Sequence, residues 1–216
     1  MDGVNVARWS LVVPLKPLAV AKSRLAAVGG GRPALALAFA LDTVAAVLAC
    51  DAVEDVTVVS DDVTAGERLA ALGAFVVPDL PAAGLNAALR YGEGVVRERR
   101  PAAAVAALNG DLPALRPAEL SVVLQGAAAA SGRAFLADAA GVGTTLLTAS
   151  ARIALSPAFG GPSRARHLGS GARELALDGV PSVRQDVDTP DDLRAALALG
   201  VGPRTEAAAA GLLIAD

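Results

Sequence analysis

Short valine- and alanine-rich runs alternate with longer helical stretches along most of this chain, and that alternation restricts the folds open to it more than any other feature. Residues 11–13, 56–60, 75–77, 103–108, 133–137 and 182–187 read as strands. Residues 33–49, 64–72, 85–99, 117–131, 164–177 and 190–199 carry helical apolar spacing or a start signal. Pro117 and Pro190 each sit just inside a helix start, where a missing backbone N–H costs nothing, and Thr189 is a good cap before Pro190. Strands separated by helices point to an α/β, Rossmann-like fold: a mostly parallel sheet flanked by helices. Such sheets bind ligands at the carboxyl ends of their strands, near the point where strand order reverses.

A chain of 216 residues is long enough for one sizeable core and short for two. A single domain over residues 1–216 is therefore expected, its core at about 9–200, with 201–216 a C-terminal tail that reads as a helix or frayed end. The hydrophobic content is 54% but aromatics are only 3%, so small aliphatics must build the core in tight helix-on-sheet layers. A net charge of -3, with no block of like charges, speaks against nucleic acid as a partner. Cys50 is the only cysteine, which excludes an internal disulfide and a multi-cysteine zinc site. The opening MDGVNVARWS has no secretion-signal character, and neither apolar segment suits a membrane: 33–50 carries Asp42 and Thr43, and 207–215 falls short of the roughly 20 residues a bilayer needs. A cytoplasmic protein with no membrane partner is expected.

After the first strand the chain reads PLKPLAVAKSRLA, which places Lys16, Lys22 and Arg24 at the ligand edge. Lys16 and Lys22 are the only lysines in a chain that otherwise uses arginine. A compact ammonium suits a phosphate oxygen, so these cations are candidates for a triphosphate, the alternative being a solvated basic turn. The loop is not a Walker A motif, since G-x-x-x-x-G-K is absent.

The run AAAVAALNGDLPAL ends a buried strand in polar residues, among them Asp111. In QDVDTPDDL, Asp186 and Asp188 flank Val187 on what reads as the last strand, so their side chains share a face. Magnesium takes hard oxygen ligands, commonly one or two carboxylates plus substrate phosphates, and one aspartate from each strand end would supply them. The alternatives are that Asp111 is a turn residue and that Asp188 caps the next helix.

Between these strands lies an irregular glycine- and hydroxyl-rich stretch, GVGTTLLTAS followed by SPAFGGPSRARHLGSG. Thr145, with backbone amides near Gly160 and Ser163, can hold a phosphate or carboxylate, and Arg164 and Arg166 add charge nearby. His167, the only histidine, is not needed as a base, because a substrate phosphate is already anionic at neutral pH. An orienting role and a direct contact both stay open for it. With no second histidine, reactive cysteine or G-x-S-x-G elbow, triad hydrolysis is disfavoured.

Taken in order, PLKPLAVAKSRLA, GLNAAL, LNGDLPAL, GTT, FGGPSRARH and DVDTPDDL resemble the phosphoenolpyruvate or 2-phospho-L-lactate guanylyltransferase family, from about Trp9 to Leu199. The resemblance implies a single-domain nucleotidyltransferase fold, GTP as donor, a three-carbon phosphorylated acid as acceptor, magnesium, and a role in coenzyme F-420 biosynthesis beside a deazaflavin-accepting partner enzyme. By it, Asp111 and Asp188 match the metal-binding aspartates, with Asp186 a further candidate ligand, and Lys22 and Arg24 match the triphosphate loop; these four pairwise positions are the expected catalytic residues. Lys16, Gly84, Leu85 and Asn86 fall on the nucleotide side, the last three near the base, and Thr145, Gly160 and Ser163 match positions that hold the acceptor. One departure stands out: F-G-P-x-S is expected in the acceptor motif, whereas here Gly161 pushes proline on to Pro162. Phosphoenolpyruvate is the favoured acceptor over 2-phospho-L-lactate or 3-phosphoglycerate. The rivals are a sugar-phosphate or molybdopterin nucleotidyltransferase, whose glycine-rich opening is missing, and a silent nucleotide-binding module on the same fold.

Overall fold

The computed structural model describes residues 8–19, 25 and 31–213. Among them seven strands form one sheet: β1 (Trp9–Pro14), β2 (Val53–Val59), β3 (Phe75–Val77), β4 (Ala104–Leu108), β5 (Arg133–Ala137), β6 (Thr144–Ala149) and β7 (Arg173–Glu174), in the order β3-β2-β1-β4-β6-β5-β7. β1 is parallel to β2 and β4, β2 to β3, and β5 to β7, while β6 runs antiparallel to both neighbours. One edge of the sheet therefore gathers the carboxyl ends of every strand but β6, which brings its first residues, Thr144 and Thr145, to that edge instead. Strand order reverses beside β1 and β4, and their carboxyl ends lead into the lysine loop and the Asp111 loop.

The alternation of side chains along each strand sorts the core into layers. Leu11, Val13, Val56, Val58, Ala106 and Leu108 face α1 (Arg32–Leu48), α2 (Val63–Ala71) and α4 (Pro117–Ala130). Val12, Val59, Val105 and Ala107 face α3 (Leu85–Arg99) on the other side. α3 rides close to the sheet: a Cβ on Gly92 would stand 2.4 Å from Val12 Cγ1 and 2.9 Å from Val59 Cγ2. This is the tight layering that a core poor in aromatics requires.

A third cluster joins the start of α1 to α7 (Pro190–Leu199) through Leu25, Leu35, Phe39, Ala114, Val187 and Leu193. Beside it lies α8 (Pro203–Leu213). Asp42, buried in the middle of α1, accepts the backbone N–H of Thr205 at 2.7 Å and pairs with the Arg204 guanidinium at 3.3 Å. The carboxylate thus meets the positive end of α8, and the tail residues form a docked helix. No helix among the described residues is long and apolar enough to cross a membrane.

Three local expectations differ from the structure. Residues 182–187 do not form a strand: Pro181 starts the short α6 (Pro181–Arg184), the Ser182 N–H donates to Glu119 Oε2 at 2.8 Å, and an irregular segment follows. The helix expected over 164–177 is only α5 (Ser163–Gly169), because Gly171, at φ 82°, ends it and Arg173–Glu174 pairs with β5 as an edge strand. Finally, TTLLTA, embedded among glycines and hydroxyls, is the buried antiparallel strand β6.

Candidate active site

The lysine loop leaves β1 at Pro14 and is fastened on two sides. Asp62 caps α2 by accepting the Ala65 N–H at 3.0 Å, and its other oxygen accepts the Leu18 N–H at 2.8 Å. Arg32, at the start of α1, donates to the Ala19 carbonyl at 2.8 Å. Lys16 is exposed and lines a small cavity of about 80 Å³ with Pro14, Asp61, Asp79, Gly84 and Leu85. Lys22 and Arg24 lie outside the described residues. Gly84 precedes α3 at φ 88°, a conformation that glycine adopts at little cost.

The two acidic loops are joined by their backbones: the Val187 N–H donates to the Asp111 carbonyl at 3.1 Å. Asn109 adds a second tie, its amide donating to Asp186 Oδ2 at 3.4 Å. Thr43, the other polar residue inside α1, accepts the Leu112 N–H at 3.0 Å, and Ala114 and Val187 are both buried in the third cluster. Burying a side chain such as Val187 contributes roughly 1.5–3 kcal/mol, which fixes the loop on which Asp186 and Asp188 flank it. The capping box of α7 is built by Thr189 and Asp192, so helix capping does not account for Asp188. Asp111, Asp186 and Asp188 thus sit on two adjoining loops, as the sequence implied, although Asp186 and Asp188 lie on irregular backbone, not on a strand.

Thr145 is the first of the residues that the sequence assigned to an acceptor. Leu136 pairs with Leu146 and Ala137 with Thr144, so Thr145 is the extra residue of a β-bulge opposite β5, a device that re-aims side chains beside binding sites. Its hydroxyl is fully buried and has no hydrogen-bond partner among the described residues. An orphaned hydroxyl of this kind costs about 1–3 kcal/mol, which a ligand would relieve.

From the far end of β6 the chain returns along α3 as an irregular strap. Arg97 donates to the Ile153 carbonyl, Glu93 accepts the Leu155 N–H at 3.0 Å, and Asn86 pairs with Phe159 at the start of α3. The strap then turns through Gly160 at φ 92° and Gly161 at φ 47° before Pro162 and the buried Ser163 open α5. Positive φ at two successive residues is a conformation that glycine adopts at little cost. Arg166 reaches the Phe159 carbonyl at 3.4 Å, while Arg164 is committed to Glu174 at 2.9 Å.

His167 is fully buried between Phe135 and Phe159. Its Nε2 accepts the Ala158 N–H at 3.0 Å, so in the neutral ring Nδ1 carries the proton and donates to Thr144 Oγ1 at 2.9 Å. Burial, then the charges of Arg133 and Arg166, push its pKa down to about 4. A neutral ring with both nitrogens engaged is a strut and not a general base.

The carboxyl edge of the sheet therefore carries the loop of Lys16 and the two joined carboxylate loops, and the strap that turns at Gly160 and Gly161 is fastened to the start of α3 by Asn86. Residues 9–208 match the family model described as guanylyl transferase CofC like. The chain belongs to this CofC-like guanylyl transferase family. Among its relatives, the phosphoenolpyruvate guanylyltransferase of Streptomyces coelicolor is 68% identical over 96% of this chain and 99% of its own length. That of Thermomonospora curvata is 61% identical over 94% and 89%. A solved nucleotidyl transferase from Methanothermobacter shares the fold with a TM-score of 0.56 at 21% identity, covering 89% of this chain and 97% of its own.

Within the CofC-like fold, the sequence-derived candidates Lys16, Gly84 and Leu85 line the small cavity, Asp111, Asp186 and Asp188 lie on the joined loops, Gly160 and Ser163 lie at the strap's end beside the Phe159 that Asn86 holds, and Thr145 lies on β6 against Asn109. Asp62, Thr43, Asn109 and Glu93, which fasten these loops, were not singled out as such, whereas an orienting role was one of the two left open for His167. Asp42 and Thr43 did leave a signal, as adjacent polar residues inside an apolar helix.

Proposed function

We propose that this CofC-like enzyme transfers the guanylyl group of GTP to the phosphate of phosphoenolpyruvate, releasing pyrophosphate, in coenzyme F-420 biosynthesis. The observation that supports the reading is Thr145: a buried hydroxyl without a partner among the described residues, on a bulge whose carbonyl accepts the N–H of Asn109, the residue that also ties to Asp186. The acceptor follows the relatives named above.

An oxygen of the acceptor phosphate, whose second pKa near 6 leaves it anionic at neutral pH, forms a bond to the α-phosphorus of GTP. The bond from that phosphorus to the bridging oxygen breaks, and pyrophosphate departs with the electron pair. No base is needed, in keeping with the engaged ring of His167. Lys16, with Lys22 and Arg24 on the same loop, neutralises charge on the departing pyrophosphate. Thr145 donates to the acceptor, and the glycines at 160 and 161 let backbone N–H groups approach it beside Ser163. Gly84 and Leu85 border the guanine, and the carboxylates of Asp61 and Asp79 suit its N1–H and amino donors.

No group of three or more His, Cys, Asp or Glu side chains among the described residues could hold a metal unaided. The carboxylates of Asp111 and Asp188, with Asp186, on two loops joined through Val187, are the hard oxygen donors that magnesium takes beside phosphates and water, and they would hold it. When bound, the ion screens the repulsion between the two anions. A cytoplasmic setting, where GTP and phosphoenolpyruvate are found, fits the free Cys50. A deazaflavin-accepting transferase would consume the product.

The test is pyrophosphate release with magnesium, GTP and phosphoenolpyruvate, 2-phospho-L-lactate, 3-phosphoglycerate or no acceptor, with the deazaflavin-accepting enzyme present. Release that depends on phosphoenolpyruvate is the expected result. Background release with every acceptor while GTP still binds would replace the proposal with a silent nucleotide-binding module.

A further inference from the structure

We infer that Asn86 is a positioning residue that brackets the acceptor loop to the nucleotide side of the site, with His167 gripping the same loop from the opposite side; the inference rests on the guanylyl transfer proposed above. Asn86 is the second residue of α3, directly after the Gly84 and Leu85 that line the small cavity. Its Nδ2 donates to the Phe159 carbonyl at 3.1 Å and its Oδ1 accepts the Phe159 N–H at 2.8 Å. Both ends of the amide are thus used on one residue, as a neighbouring strand would use it. Only an amide side chain offers donor and acceptor side by side in this way.

One residue upstream, the Ala158 N–H is held by His167 Nε2, and His167 is in turn anchored to Thr144, next to the orphaned hydroxyl of Thr145. Two consecutive strap residues are therefore pinned from α3 and from α5 immediately before the backbone turns left-handed at Gly160. A loop of glycines has no geometry of its own to offer a ligand. The pins on residues 158 and 159 set where the amides of 160 and 161 point. They also connect the start of α3 on the nucleotide side to β6 on the acceptor side, so the two substrates are registered against each other by side chains that touch neither.

Asn86→Asp keeps the size of the side chain and its acceptor oxygen but turns the donor into a second oxygen facing the Phe159 carbonyl. Misplacing a reacting group by about 1 Å can cost on the order of 100-fold in rate. The KM for phosphoenolpyruvate should rise roughly tenfold or more and kcat should fall, while the KM for GTP stays within about twofold. Asn86→Gln, which retains the amide, should recover part of the loss, and His167→Gln should reproduce the acceptor-selective pattern. Hydrogen exchange at residues 158–161 should quicken in Asn86→Asp with the melting temperature little changed.

A rise in the KM for GTP equal to or larger than that for phosphoenolpyruvate would make Asn86 a nucleotide contact and overturn the inference. So would a folded Asn86→Asp with wild-type kinetics and wild-type exchange. Should the wild type itself release no acceptor-dependent pyrophosphate, the functional proposal fails by that result alone, and the exchange comparison still decides whether the bracket holds the loop.

Discussion

Thr145→Val should make the protein more stable and less active at once. The hydroxyl is fully buried and lacks a partner among the described residues, so in the unliganded protein it carries a desolvation cost of about 1–3 kcal/mol. Valine has nearly the same shape and removes that cost. In a chain of this size each kcal/mol shifts the melting temperature by about 2–4 °C, so a rise of roughly 2–12 °C is expected in differential scanning calorimetry. If the hydroxyl donates to the anionic acceptor, losing a hydrogen bond to a charged group forfeits about 1.5–3 kcal/mol, or roughly 10- to 150-fold in kcat/KM for phosphoenolpyruvate. Pyrophosphate release measured against varied phosphoenolpyruvate at saturating GTP reads that loss. Thr145→Ser, which keeps the hydroxyl, should retain most of the turnover. A Thr145→Val protein that melts below wild type would refute the stability argument. One that melts higher yet keeps its kcat/KM would show the bulge to be strained for some purpose other than acceptor binding.

Asp111→Asn should lower turnover by roughly 10²- to 10³-fold while the circular-dichroism melt stays put, and unchanged turnover would remove Asp111 from the mechanism. Gly92→Ala places a methyl 2.4 Å from Val12 Cγ1 and 2.9 Å from Val59 Cγ2, and urea unfolding should register a loss of about 1–3 kcal/mol. His167 is neutral in the folded protein down to about pH 4, whereas the unfolded chain takes up its proton near 6.5. Over that window the unfolded state binds more protons, so stability falls as pH drops, by at most about 3 kcal/mol; His167→Gln should flatten this part of the stability profile.

The α/β architecture, helices α3 and α7, and the strands at β3, β4 and β5 were legible because their periodicity and caps are local properties. Residues 182–187 were not, since a short β-branched run reads alike in a strand and in a buried irregular segment, and only the contact of Ser182 with Glu119 on α4 distinguishes them. β6 was hidden because the glycines and hydroxyls around TTLLTA read as one irregular stretch, and its antiparallel pairing with both β4 and β5 is not a local property. Asp111 and Lys16 stood out as candidates because charge placed at a strand's end is conspicuous; Asp186 and Asp188 were read on a strand where the structure has irregular backbone, and Lys22 and Arg24 lie outside the described residues. Asn86 was readable as a site residue by its motif, whereas its pairing with Phe159 depends on the return of the strap and could not be inferred from spacing.

That division follows from the chemistry. A reaction between a phosphate that is already ionised and a triphosphate requires neither a base nor a covalent intermediate, so its rate depends on bringing two repelling anions into line. The groups proposed to do this by charge are few and polar, Lys16 and Asp188 exposed and Asp111 half-buried. The groups that decide where they point are ordinary in type: Asp62 on the Leu18 N–H, Thr43 on the Leu112 N–H, His167 on the Ala158 N–H and Asn86 on Phe159. Each spends a buried or half-buried side chain on a loop backbone, and each loop so fixed has less ordering entropy to lose when substrate arrives. In a site of this kind the sole histidine is better used neutral and engaged than as a titrating base, because a ring that gained a proton would lose its grip on Ala158 and release the loop that the acceptor needs.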